Sequence, residues 1–272
     1  MRRTSTAIAA LLLLGACQSQ PDDALPPPVA AVPPPAPAQI DRAELVAEES
    51  ARLNAWFEVK FQEMLARNPM YQTYLGVKTD YDKWNDVSDE AAIEEMEIQR
   101  ANVAEMQAAF DYDLLDDQAK LSWRLAEYEL AEAEAAFPYR HHDYVFDQMG
   151  GVQSGIPAFL VNQHGVTSLS DAEAYIARLE GIKGYLAGNI ENAEYAASLG
   201  IQPPAFAYPY ILNDSQSVIT GYPFTSDVSD GTEDSPLMKD FRGKVAGLVE
   251  AGTIDDAKAG ELLAGAASAL TE

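Results

Sequence analysis

The 272-residue chain has a single cysteine, Cys17, so no internal disulfide is available and a hydrophobic core must hold it together in any oxidising compartment. Positive charge is also scarce, with 18 Lys and Arg against 43 Asp and Glu and a formal charge of −25. Phosphate backbones are bound by clustered Lys and Arg, so this balance argues against nucleic acid as a partner. It argues equally against electrostatic adsorption to anionic lipid. The acids are dispersed rather than blocked, which reads as solvated helix faces. Chemistry-bearing motifs are missing too: there is no Gly-x-Ser-x-Gly, no phosphate-cradling glycine loop and no His-Glu pair anywhere. Strand-like alternation is confined to Tyr144–Phe146 and Ala207–Leu212, and no internal repeat of roughly 30–50 residues is found. What is present in quantity is apolar residues, 47% of the chain, enough for one large or two modest domains.

The N-terminus has a pattern of its own. Arg2 and Arg3 precede the apolar run 7–14, which is far shorter than the roughly 20 residues that span a bilayer. Leu14-Gly15-Ala16-Cys17 follows, and it resembles a bacterial lipobox. That resemblance implies diacylation of Cys17, removal of residues 1–16 as a lipoprotein signal peptide, and membrane attachment through the acyl chains. A plain secretory signal with a stray cysteine is the alternative. Cleavage takes away Arg2 and Arg3 and no acid, leaving 16 basic against 43 acidic residues. Gln18 rather than Asp after the cysteine points, by analogy with lipoprotein sorting, to the outer membrane facing the periplasm. Residues 17–40 then carry Pro26-Pro27-Pro28 and Pro33-Pro34-Pro35, which favour polyproline II and form no core. They read as a tether, or alternatively as a Pro-rich recognition ligand.

From residue 41 to 272 the periodicity is helical, and the expected fold is a mainly α, multi-helix array with long irregular loops. Asp41 and Glu44 make a capping pair, and Leu53, Phe57, Phe61 and Met64 recur on one face, with Trp56 and Leu65 beside them. Asn68-Pro69 ends that pattern. A second helix opens at Ser88 with Asp89 and Glu90 in its first turn and a stripe of Ile93, Met96, Val103, Met106 and Phe110. A third spans 116–136 with Leu121, Leu125 and Tyr128 expected inward, and Pro138 lies beyond it. Ser170 and Glu173 read as the capping box of a fourth helix, whose stripe runs Ile176, Leu179, Leu186, Ile190, Ala193, Ala197. It stops at Gly200, ahead of Pro203-Pro204. Ser235-Pro236 opens another, carrying Leu237, Phe241, Val245 and Leu248, and a last helix starts near Thr253.

The connection 137–169 is long for a compact domain, and long loops of this kind are often functional. It holds all three histidines, His141, His142 and His164. His141 and His142 are adjacent and so point poorly at one metal ion, no third ligand is near in sequence, and the simpler reading is a polar loop with surface histidines. Ser154 and His164 are close in sequence, which alone makes no nucleophilic pair. Gly150-Gly151 reads as a tight turn.

The stretch Phe146-Asp147-Gln148-Met149-Gly150-Gly151-Val152-Gln153-Ser154, then Ile156-Pro157-Ala158-Phe159-Leu160, His164 and 171–179, resembles the bacterial domain-of-unknown-function 885 family. Thr73-Tyr74-Leu75-Gly76 and Gly200-Ile201-Gln202-Pro203-Pro204 are similar as well, and the likeness spans roughly 45–270. The resemblance implies a large helical envelope protein similar to zinc metallopeptidases of the His-Glu-x-x-His class, with the zinc motif in a C-terminal half. Only an N-terminal half has counterparts here, so the body is expected to be truncated at its C-terminus, with neither catalytic residues nor metal ligands. Zinc is expected only in a longer relative. By the same analogy the 144–164 loop lines a substrate channel, with Tyr144, Asp147, Gln148, Gln153 and His164 as candidate positions. The plain alternative is that this loop packs the helices together. The expected partners are the membrane, through Cys17, a peptide substrate and a missing C-terminal half. Two further functions stay open: a helical periplasmic lipoprotein that binds peptides or proteins without enzymatic activity, and a purely structural envelope protein.

Overall fold

The computed structural model describes residues 41–225, 231 and 233–272. The segments expected to be a signal peptide (1–16) and a lipidated Cys17 with its tether (17–40) lie outside the described residues. The described body is helical: α1 (Arg42–Ala66), α2 (Pro69–Tyr74), α3 (Asp89–Ala109), α4 (Asp117–Ala136), α5 (Val152–Asn162), α6 (Leu169–Ser198), α7 (Tyr208–Val218), α8 (Pro236–Glu250) and α9 (Asp256–Thr271). No strand occurs among the described residues, and Tyr222 and Asp234 form only an isolated bridge.

Caps explain most of the boundaries. The side chains of Asp41, Ser88 and Asp116 each accept a first-turn amide, as their sequence position predicts. The fourth predicted helix, α6, starts two residues earlier than the Ser170–Glu173 pattern implies. Its reciprocal box is Ser168 with Asp171, because Asp171 accepts from the Ser168 amide while the Ser168 hydroxyl accepts from that of Asp171. Gly200 terminates it at φ +81°, where a Cβ would be strained. The last helix is capped by Asp255 rather than near Thr253. Pro236 opens α8, but the buried Ser235 hydroxyl makes no capping bond.

Three expectations are corrected. Ala207–Leu212 is not a strand: Pro209 sits in the first turn of α7, where its missing N–H and fixed φ suit a helix. Tyr144–Phe146 is irregular chain. The 137–169 connection contains α5, so much of it is not a loop; Pro157 lies inside that helix. Third, α4 faces the other way from its apolar stripe. Leu121, Leu125 and Tyr128 are 43%, 47% and 61% exposed, while Ala119 and Trp123 are buried. A small residue beside an indole lets α4 pack closely, and that contact outweighs the larger but outward stripe.

Two apolar clusters result. The larger gathers Phe159 and Leu160 of α5, Tyr175 and Leu179 of α6, Leu237, Phe241, Val245 and Leu248 of α8, and Leu262 and Ala266 of α9. The smaller joins Leu53 of α1, Met106 of α3, Leu115, and Ala119 and Trp123 of α4. The 30-residue α6 is the longest element of the body, roughly 45 Å at 1.5 Å per residue, and both α9 and the segment 81–88 lie against it.

Candidate functional site

Packing against α6 begins with its glycines. Gly181, Gly184 and Gly188 share one face of the helix at i, i+3 and i+7. A Cβ at Gly181 would come within 2.8 Å of Trp84, and one at Gly188 within 2.9 Å of Val87, so both are glycine because the 81–88 segment presses there. Trp84 stacks on Tyr185 with ring centroids 4.8 Å apart and donates its indole N–H to the Arg178 carbonyl at 2.9 Å. The Asn192 amide donates to the Val87 carbonyl at 2.7 Å. Gly184 differs. Nothing lies within 4 Å of its would-be Cβ, although glycine in a helix interior costs about 1 kcal/mol against alanine.

Gly184 forms part of the floor of a cleft of about 550 Å³ between the middle of α6 and the start of α3. Trp84, Tyr185 and Tyr195 supply aromatic wall, and Asp86, Asp89, Glu90 and Glu191 supply carboxylates. A second hollow of about 400 Å³ shares Val87, Ser88, Asp89, His141 and Asn192 with the first and extends it toward Tyr144 and Gly150. Between them is an ionic knot. Arg140 grips both oxygens of Asp89, at 2.6 and 3.0 Å, and His141 Nε2 lies 3.1 Å from the same carboxylate. The Arg140 guanidinium, then His141, holds the Asp89 carboxyl below its ordinary range. The His141 ring meets Tyr195 edge-on at 4.5 Å.

The other histidines are committed elsewhere. His142 packs edge-on against Tyr139 at 5.4 Å. His164 is not a surface histidine, because it is fully buried. Its Nδ1 accepts from the equally buried Arg178 at 2.9 Å, which leaves Nε2–H to donate to the Asp171 carbonyl at 3.0 Å. Burial, then the neighbouring Arg178 charge, pushes His164 down to about 4, so the ring is neutral. Arg178 also donates to Thr73 Oγ1 at 2.7 Å and to the Lys83 carbonyl at 3.2 Å, tying α2 and the 81–88 segment to α6. Tyr81 and Phe159 lie against its guanidinium, at 5.2 and 4.9 Å. Burial lowers Arg178 to about 10, still charged at neutral pH. Burial opposes the Asp171 charge, but bonds from Lys78, Thr167 and Ser168 prevail and hold its carboxyl at about 2.

Of the five loop candidates, only Tyr144 lines these hollows. Asp147 closes a turn by accepting the amides of Met149 and Gly150. Gln148 is half-buried beside it. Gln153, buried on the first turn of α5, donates to the Asp147 carbonyl. Its carboxamide occupies the space a Cβ at Gly151 would need, which accounts for that glycine. These residues and His164 stand behind the cleft as packing. Sequence reasoning missed Trp84, Asp89, Gly184, Tyr185 and Tyr195. The Gly181-x-x-Gly184-x-x-x-Gly188 stripe on one helix face was the signal that could have found them.

The arrangement suits binding better than bond-breaking. Ser88 Oγ caps α3, both Asp89 oxygens are held by Arg140, and no group of three His, Cys, Asp or Glu positioned for a metal exists among the described residues. A zinc centre of the His-Glu-x-x-His kind does not fit: each histidine's packing is accounted for, and the one beside a carboxylate shares it with an arginine.

A family model described as "Bacterial protein of unknown function (DUF885)" matches residues 69–272. No curated protein matches. A crystal structure of a candidate lipoprotein from Colwellia psychrerythraea superposes with a TM-score of 0.57 at 18% identity, covering 86% of this chain. The chain spans only 39% of that protein's length.

Proposed function

We propose, from the fact that the chain belongs to the DUF885 family of bacterial proteins, that it is a lipid-anchored helical module of the cell envelope that binds peptide and has no hydrolytic centre of its own. The observation that carries this reading is the cleft over Gly184: a preformed hollow with aromatic walls and no activated nucleophile or metal-ligand group among the described residues. The metallopeptidase likeness then gives the body a place. On that likeness the body would form one wall of a substrate channel, and its own residues would supply neither zinc ligands nor a water-activating glutamate. Anchoring rests on Leu14-Gly15-Ala16-Cys17, and Gln18 favours the outer membrane with the body facing the periplasm. The alternative, a self-sufficient binding lipoprotein, uses the same cleft. It differs in whether a His-Glu-x-x-His sequence is encoded downstream.

Two readouts on one preparation test the proposal. Cells fed labelled palmitate should label the wild-type chain and not Cys17→Ala, which should leave the membrane fraction; a labelled Cys17→Ala overturns the anchor. The purified chain with added zinc should leave a quenched fluorescent peptide library uncut. Turnover that a chelator abolishes would show a hydrolytic centre within the chain.

A further inference from the structure

We propose that the cleft over Gly184 selects a cationic side chain, lysine or arginine, of a bound peptide. The inference rests on the peptide-binding reading above and adds the chemistry of the residue recognised. Charge is the first reason. Four carboxylates line the cleft and no lysine or arginine does, and Asp89 is already paired with Arg140, which lies outside the lining. Asp86 accepts the Ser88 amide at 2.9 Å, which leaves Glu90 and Glu191 on a hollow whose walls offer them no lysine or arginine. The positive end of the α3 dipole does not cancel them, because Ser88 caps that terminus and Asp89 and Glu90 stand in its first turn. Shape is the second reason. Trp84, Tyr185 and Tyr195 suit the methylene stem of a long side chain, and ring faces attract its charged head. The floor is the third. The 81–88 segment explains Gly181 and Gly188, whereas the missing side chain of Gly184 leaves open room in the cleft.

Titration calorimetry of the full chain in detergent, with acetyl-Ala-Lys-Ala-amide and its arginine, norleucine and glutamate counterparts, tests this. The lysine and arginine peptides should bind about tenfold tighter than the norleucine peptide and weaken as salt rises, with the glutamate peptide weakest. Gly184→Leu, whose Cβ has no protein atom within 4 Å and whose side chain projects into the cleft, should cost the lysine peptide at least about tenfold. Glu191→Gln should weaken the lysine peptide about threefold and leave the norleucine peptide unchanged. If Gly184→Leu misfolds by circular dichroism, Glu191→Gln and the peptide series decide. Equal binding of all four peptides overturns the selectivity and leaves the peptide-binding reading standing. Absence of binding by any of them overturns both. Neither result bears on the anchor, which palmitate labelling reports separately.

Discussion

The α1–α4 half and the α5–α9 half of the body are built from the same kind of amphipathic helix, yet they bury their apolar residues to different depths. In α8 the stripe Leu237, Phe241, Val245, Leu248 turns wholly inward, each residue no more than 2% exposed. In α4 the corresponding stripe faces water, and Ala119 and Trp123, with Ala126 partly buried beside them, reach the small cluster. The α1–α4 half leans on polar cross-ties instead: Arg100 to Glu134, Gln107 to Glu127, the Trp56 indole to Glu105. Exposed ties of this type contribute little, from nothing to about 1 kcal/mol each. A charge-rich helix pair can therefore be well formed and still be held less firmly than its neighbour. The candidate cleft lies along α6, beside the firmly packed half.

The largest expected effect tests that contrast directly. Phe241→Ala removes a fully buried ring stacked 4.8 Å from Tyr175 and should cost about 3–5 kcal/mol, read as a lower urea midpoint at unchanged m. Met106→Ala, also fully buried, should cost about 2–5 kcal/mol and in native-state hydrogen exchange should loosen α1, α3 and α4 before α6, α8 and α9. Uniform loosening of all helices would erase the distinction between the halves.

Acid should separate them next. His164 is neutral in the folded chain and takes up a proton at its ordinary value of 6.5 once unfolded, against about 4 when folded. Between those values the unfolded state binds more protons, so stability is full above pH 6.5 and falls as pH drops toward 4. The loss is at most about 3 kcal/mol. Asp171, held at about 2 rather than 3.8, extends the decline below pH 4. Both groups lie at the α5–α6 junction. His164→Asn should flatten the stability profile between pH 6.5 and 4 in chemical denaturation, whatever its cost at neutral pH. A slope that survives the substitution would assign the acid sensitivity elsewhere.

These differences mark the limit of what periodicity conveys. Caps and breakers are local chemistry, so Asp41, Ser88, Asp116 and Gly200 could be placed from sequence alone. Direction is not local. The α4 stripe has helical spacing whichever side meets the core, and only the fit of Trp123 beside Ala119 against α1 and α3 selects the face. The strand-like 207–212 run became helix because a proline in a first turn is favourable, a fact its aromatic alternation hides. The site was less legible still. The conspicuous polar run around Asp147, Gln153 and His164 turns its hydrogen bonds inward, onto the Met149 and Gly150 amides and the Asp147 and Asp171 carbonyls, while the cleft draws on Trp84, His141, Gly184 and Tyr195, which come together only when the 81–88 segment lies on α6.

The smallest expected effect is the sharpest probe of the α4 surface. Leu125 is 47% exposed on the outward stripe, so Leu125→Ser should change stability by no more than about 0.5 kcal/mol. Two copies of a chain carrying −25 repel one another, which opposes self-association through this stripe at low salt. Denaturation midpoints should accordingly be independent of protein concentration for wild type and variant alike. A loss above about 1.5 kcal/mol, or a midpoint that rises with concentration in the wild type alone, would mean that Leu121, Leu125 and Tyr128 are covered in solution. The α1–α4 half would then be the unfinished half of an interface, not a surface that tolerates apolar exposure.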